Sequence, residues 1–250
     1  MDLDIVNNIA KFADDTKVSG LADSLEHCRS LQNDLNKIVQ WAKTWGMEFN
    51  INKCNSLHIG NKNINFSYTM NGVPLEKVSE QKDLGVVINN KLKFNSQCVS
   101  SSKTANKVLG FIFRSFEYRS KEIIIPLYKS LVRPHLEYAI QFWCPYYCKD
   151  IDILERVQRR ATKLIVNMRN LPYEERLKRL GLQTLKTRRL RGELIEVFEI
   201  LNNIDLVNPG LLTLAPHGIT KNNGLKLVGK RFQTDIAKEL LCEQGRQSME

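Results

Sequence analysis

The sequence predicts an α+β chain: β-hairpins with one long helix in its first part, then a mostly helical remainder. Three observations carry this. Up to about residue 93, short alternating apolar runs are separated by turn residues such as Asn71-Gly72. After Phe94, apolar residues recur at three- and four-residue steps, with Gly and Pro as punctuation. The chain has 250 residues, 42% hydrophobic and 26% charged, ordinary for a globular protein and enough for one or two domains with a core. The expected division is 1–93, then a helical region 94–206, then an irregular tail 207–250.

Residues 5–19 read as a β-hairpin with Asp14 and Asp15 at its tip. Asp23-Ser24-Leu25-Glu26 has the form of a capping-box helix start. Leu25, Cys28, Leu31, Leu35, Ile38, Ala42 and Trp45 place one apolar face on that helix, and Gly46 ends it. Short strands are expected around Phe49 and around Leu57-His58-Ile59. Phe66 to Met70 and Val73 to Leu75 flank Asn71-Gly72 as a hairpin. Leu84 to Ile88 reads as a further apolar strand. In the helical part, Val108 to Phe113 belong to one helix and Ile123 to Trp143 to another, broken or kinked at Pro134. Leu154, Val157, Ala161, Leu164, Ile165 and Met168 mark an amphipathic helix with Arg156, Arg159, Arg160 and Lys163 on its other side. A last helix runs from about Leu185 to Leu201, entered through Lys186, Arg188, Arg189 and Arg191. Tyr118, Tyr128 and Phe142 are expected in the core rather than as base-stacking platforms.

The net charge is +10. That favours a polyanionic partner without identifying one. Between Lys149 and Arg191 there are 13 Lys+Arg against 5 Asp+Glu, so most of the excess sits in one segment. Such a concentration is either an electrostatic footprint for nucleic acid or a set of solvated helix faces. No apolar run reaches the roughly 18 residues of a membrane span. The acidic start Met1-Asp2-Leu3-Asp4 is unlike a signal peptide. An intracellular protein, nuclear or cytoplasmic, is expected, with no membrane partner. The six cysteines are scattered, which fits reduced thiols. Cys144 and Cys148 form a C-x₃-C pair, with His135 before them. A zinc site needs a second close pair, and two ordinary thiols at a helix end are the expectation.

Phe12-Ala13-Asp14-Asp15 carries the chemistry. Adjacent carboxylates at a hairpin tip repel each other. They make sense against divalent cations, since Mg²⁺ takes hard oxygen ligands and paired ions about 3.5–4 Å apart drive in-line phosphoryl transfer. Lys11 to Lys17 resembles the Phe/Tyr-Ala-Asp-Asp motif of reverse transcriptases. The likeness is to LINE-type (non-LTR) retrotransposons of the jockey and chicken-repeat clades. Gly46 to Cys54 is similar to that family's next palm motif, and Lys82 to Ile88 to its primer grip. Pro126 to Tyr138 and Leu154 to Thr162 resemble its thumb. The order and spacing hold from about residue 2 to about 235.

The resemblance implies a partial polymerase palm over 1–93 and a thumb beyond it. It implies RNA-directed DNA synthesis with two Mg²⁺ ions in the parent enzyme, an RNA template, a DNA primer and deoxynucleotides. Asp14 would be the main metal ligand and Asp15 the secondary one. Lys53 would protonate or neutralise the leaving pyrophosphate, or be a solvated strand-end lysine. Leu84, Gly85 and Val86 match the primer grip, where Gly85 would allow close backbone approach or form a bulge. Arg156, Arg159, Arg160, Lys163, Arg188 and Arg189 would bind nucleic acid. The family's third catalytic aspartate lies upstream of anything here; Asp2 and Asp4 match a loop instead. The tail at Leu240 to Gln244 also departs from the family. The expectation is a fragment truncated at both ends that binds Mg²⁺ poorly and is inactive alone. The alternative is a non-catalytic nucleic-acid-binding remnant using 149–191.

Overall fold

The computed structural model describes residues 4–202 and Ile204. The expectations for Asp2, for the tail 207–250 and for Cys242 lie outside them. The chain is α+β and divides into two compact units, Met1–Lys93 and Phe94–Glu250.

The first unit opens with an antiparallel hairpin of β1 (Asn8–Phe12) and β2 (Asp15–Ser19). Helix α1 (Leu25–Thr44) follows. Its N-cap is Ser24, whose hydroxyl accepts the His27 backbone N–H at 3.2 Å. Gly46, in the left-handed region at φ 65°, follows its end. No strand forms at Phe49. A 3₁₀ turn, Ile51–Lys53, leads instead into β3 (Asn55–Leu57). Strands β4 (Thr69–Met70) and β5 (Val73–Pro74) pair across Asn71-Gly72. Strand β6 (Glu76–Val78) runs parallel to β3.

Strands β7 (Glu80–Asp83) and β8 (Val86–Asn89) form the last hairpin of this unit. The strand expected from Leu84 therefore starts two residues later. Leu84 and Gly85 are its turn, with φ of 44° and 87°.

The core of this unit lies between α1 and the small ladders: Cys28, Leu31, Val39, Tyr68, Met70 and Leu75, with Val18, Phe49 and Phe66 packed against them. Gln32 brackets β4 by accepting the Thr69 N–H at 2.9 Å and donating to the Thr69 carbonyl at 2.8 Å. One side chain thus supplies the bonds a neighbouring strand would.

The described part of the second unit is helical. Helix α2 (Asn95–Ser115) packs on a broken segment made of α3 (Lys121–Leu127), a π-helical turn (Tyr128–Val132), α4 (Arg133–Glu137) and α5 (Ile140–Trp143). The break has a local cause. Pro134 has no N–H, and the preceding turn widens so that the Arg133 N–H reaches the Tyr128 carbonyl. Ala139, left-handed at φ 51°, separates α4 from α5.

Helix α6 (Cys148–Lys163) lies against α2 and is followed by α7 (Tyr173–Leu180) and α8 (Leu185–Leu201). Helix α6 ends before Leu164, Ile165 and Met168, which were expected on it. The buried Arg176 guanidinium takes the Arg159 carbonyl and the Thr162 hydroxyl, both at 2.9 Å, and Asn167 turns the chain at φ 63°.

Gln158, fully buried, ties this unit together. It accepts from the Tyr128 hydroxyl at 2.7 Å and donates to the Tyr173 hydroxyl at 2.8 Å and the Gln183 carbonyl at 2.9 Å. The neighbouring buried Glu155 accepts the Leu185 N–H at 3.0 Å and the Tyr173 hydroxyl. Among the described residues no helix is long and apolar enough to cross a membrane.

Candidate functional site

The β1–β2 hairpin closes with the two-residue turn Ala13-Asp14, since Phe12 pairs directly with Asp15. Ala13 is left-handed at φ 52°. An alanine pays roughly 1–2 kcal/mol for that conformation. Asp14 and Asp15 are both exposed at the tip, beside Phe12, which is 64% exposed. Their four oxygens are the hard donors a Mg²⁺ ion takes. Two carboxylates, with water and substrate phosphates filling the shell, are a donor set that suits this ion. Among the described residues no group of three or more His, Cys, Asp or Glu side chains could hold a metal. Cys148 is exposed and Cys144 is half-buried.

The hairpin is held from its base by a residue with no sequence signal. Asp34 on α1 is 1% exposed. Its carboxylate accepts the backbone N–H groups of Val6 at 3.1 Å and Asn7 at 2.9 Å, and the Asn7 side-chain amide at 2.8 Å. Lys37 stands 3.5 Å away and also donates to the Asp4 carbonyl. Burial pushes the Asp34 carboxyl upward, but the bonds from Asn7 and Val6 and the Lys37 charge outweigh it and hold it below the ordinary aspartate value. Gly20 leaves room for this anchor, because a Cβ there would lie 2.2 Å from Asn7 Oδ1. A polar residue between apolar turns of a helix was the available hint, but its partners are 27 and 28 residues away in sequence.

A second hairpin comes to the first. Lys17 on β2 and Asp83 on β7 form an ion pair at 2.7 Å. Asp83 closes the Leu84-Gly85 turn, so Leu84, Gly85 and Val86 are brought near the hairpin of Asp14 and Asp15. Gly85 is thus a turn residue and no bulge. Leu84 is 51% exposed at the tip, whereas Val86 is buried. Lys53 is exposed at the end of the 3₁₀ turn. Two residues on, the Asn55 amide donates to Gln81 on β7 at 3.1 Å, which ties the Lys53 segment to the second hairpin.

In the second unit, Arg156, Arg159, Arg160 and Lys163 are all exposed on α6. Arg159 has a long ion pair with Asp152 at 3.9 Å and lies over the Tyr173 ring. Arg188 and Arg189 do not join them as free cations. Arg188 grips Glu137 with two bonds of 2.6 and 3.1 Å, which raises its already high pKa. Arg189 is 3% exposed, and burial lowers its pKa despite nearby Cys144 and Glu155. Arg188 thus ties α8 to α4, and Arg189 is buried at the start of α8. Of the aromatics expected in the core, Tyr128 is there at 1% exposure, but Tyr118 and Phe142 are 68% and 54% exposed. Phe142 meets Phe94 edge-on.

Comparison with known proteins gives a direct sequence likeness. Over 140 residues the chain is 29% identical to the RNA-directed DNA polymerase from mobile element jockey of Drosophila funebris. It is 26% identical over 140 residues to the protein of the same name from Drosophila melanogaster. Each match covers 54% of this chain and 15% of the relative, so the chain spans a small part of the relatives' length. No family model matches, and no solved structure matches. The likeness is to RNA-directed DNA polymerases of the mobile element jockey.

Proposed function

We propose that the first unit is the carboxylate-bearing palm portion of a non-LTR reverse transcriptase and the second its thumb. The observation that carries this reading is the exposed Asp14-Asp15 tip, linked by Lys17 and Asp83 to the Leu84-Gly85 turn. Asp14 and Asp15 would hold Mg²⁺, which when bound lowers the pKa of an attacking hydroxyl and neutralises leaving phosphates. The chain's own residues orient the tip: Asp34 fixes the strand entering it and the Lys17–Asp83 pair fixes its flank. Lys53 is an exposed cation for a departing pyrophosphate. Arg156, Arg159, Arg160 and Lys163 would meet the phosphates of an RNA–DNA template–primer without reading sequence. We further propose that the chain alone does not polymerise, because among the described residues no third carboxylate joins Asp14 and Asp15 to hold a pair of ions. A non-catalytic nucleic-acid-binding role is favoured by the exposed arginines of α6 and does not need the hairpin chemistry.

The test is Mn²⁺, standing in for Mg²⁺, followed by NMR line broadening, together with primer extension on RNA with Mg²⁺. Broadening confined to residues 13–16 and abolished in Asp14→Asn, with no extension, is the expected result. No broadening in the wild-type chain would sink the metal assignment. Extension that Asp14→Asn abolishes would overturn the proposed inactivity.

A further inference from the structure

Beside the arginines of α6 runs a groove whose other wall, on α2, lies outside the basic segment 149–191. It has a volume of about 700 Å³ and lies between α2 and α6. Its walls include Ser100, Lys103, Thr104 and Lys107 from α2 and Arg160 from α6. Helix α2 holds no Asp or Glu in its 21 residues. Its buried side is Gln97, Cys98, Ser101, Ser102, Ala105, Leu109 and Ile112, which turns Ser100, Lys103, Thr104 and Lys107 outward as one stripe.

Arg160 is pre-set. Its Nη1 donates to Asn106 Oδ1 at 3.3 Å, and the Asn106 amide is oriented by donating to the Ser102 carbonyl at 2.9 Å. The Ser102 hydroxyl reaches the Ile153 carbonyl at 3.5 Å, joining the two walls. Among the described residues Lys103, Lys107 and Arg160 have no ion-pair partner.

We infer that the α2–α6 groove is a track for one sugar–phosphate backbone of a nucleic acid. The inference deepens the nucleic-acid part of the proposed function and rests on it; it does not depend on the hairpin binding metal. Lys103 and Lys107 stand one helical turn apart, about 5–6 Å between Cβ atoms, so they can serve successive phosphates of a strand. Arg160 supplies a planar fork to a phosphate from the facing wall. Ser100 and Thr104 give hydroxyls of the kind that bind phosphate and sugar oxygens. Among the described residues the only apolar linings are Val99 and Ile153, too little to seat a peptide's side chains, and no aromatic ring lines the groove to stack a lone nucleotide base.

The experiment is fluorescence anisotropy of a labelled RNA–DNA template–primer, without divalent metal, at rising NaCl. The chain is compared with Lys103→Gln/Lys107→Gln and with Lys121→Gln/Lys178→Gln. The second pair removes the same charge from exposed positions outside the groove. The groove variant is expected to bind at least ~10-fold more weakly at low salt, with its salt slope shallower by about 1.4–1.8, near 0.7–0.9 for each of two lost phosphate contacts. The control pair is expected to change neither by half as much. Equal loss in both pairs, or no binding by folded wild-type chain at low salt, would overturn the track. Competition by polyglutamate as effective as by unlabelled duplex would overturn the nucleic-acid assignment. Mn²⁺ broadening at residues 13–16 reads the hairpin separately, so either proposal can fail while the other stands.

Discussion

The turns Asn71-Gly72 and Ala13-Asp14 close hairpins of the same unit with two residues each, and they are built differently. Asn71 and Gly72 are the residue types that tolerate their left-handed φ values of 51° and 77°. Ala13 holds φ 52° without that tolerance, as does Leu84 at 44°. The well-suited turn carries no candidate chemistry. The two strained turns carry the segments that resemble a catalytic hairpin and a primer grip. Strain by itself does not mark a site, since Ala139 at φ 51° only separates two short helices. Strain at an exposed tip that is anchored from beneath is the more telling combination. Here Asp34 holds the chain entering the tip and the Lys17–Asp83 pair its flank.

The largest effect is expected from removing the anchor. Asp34→Ala should destabilise the β1–β2 hairpin by about 3 kcal/mol, because it leaves buried donors unpaired. Hydrogen exchange of Ile9 and Val18 should speed up while that of Met70 changes little. Acid should act the same way. The Asp34 carboxyl sits below its unfolded value, so its stabilisation is present above about pH 4 and is lost as pH falls through the folded value. A pH titration of the same amides checks this, and equal loss around Asn71-Gly72 would remove the distinction between the turns.

Gly20→Ala should cost about 1–3 kcal/mol by pushing Asn7 off Asp34, read by the same exchange experiment. The smallest effects sharpen the contrast directly. Ala13→Gly should stabilise the first hairpin by about 0.5–1 kcal/mol, the relief of strain exceeding the added backbone entropy. Asn71→Ala should cost the second about 1 kcal/mol. Opposite signs in hairpin amide protection are the expected outcome.

What was legible in the sequence was local. Ser24 as a helix start, Asn71-Gly72 as a hairpin and Leu185 to Leu201 as a helix all follow from neighbours within four residues. The Asp14-Asp15 tip was legible because two short apolar runs flank it. The rest depends on distant partners. Asp34 gains its role from Val6 and Asn7, and Arg188 loses its freedom to Glu137 on another helix. Leu84 read as strand because its apolar side chain outweighed the Gly85 beside it. Helix α6 read too long because its apolar spacing continues into Leu164 and Ile165, whereas Arg176 from α7 finishes it. Lys103 and Lys107 carry no signal in the sequence, because two lysines are unremarkable until an arginine faces them across a groove.

Gln158 has a consequence for how the second unit comes apart. One carboxamide is shared by the π-helical turn, α6, α7 and the strand of chain before α8, with Glu155 beside it holding the start of α8. Detaching any one of these strips a buried polar atom of its partner in the others. The helices therefore cannot peel away singly at low cost. Local opening of one of these four segments gives way to joint loss of all four, so hydrogen exchange around Tyr128, Gln158, Tyr173 and Leu185 is expected to share one opening free energy.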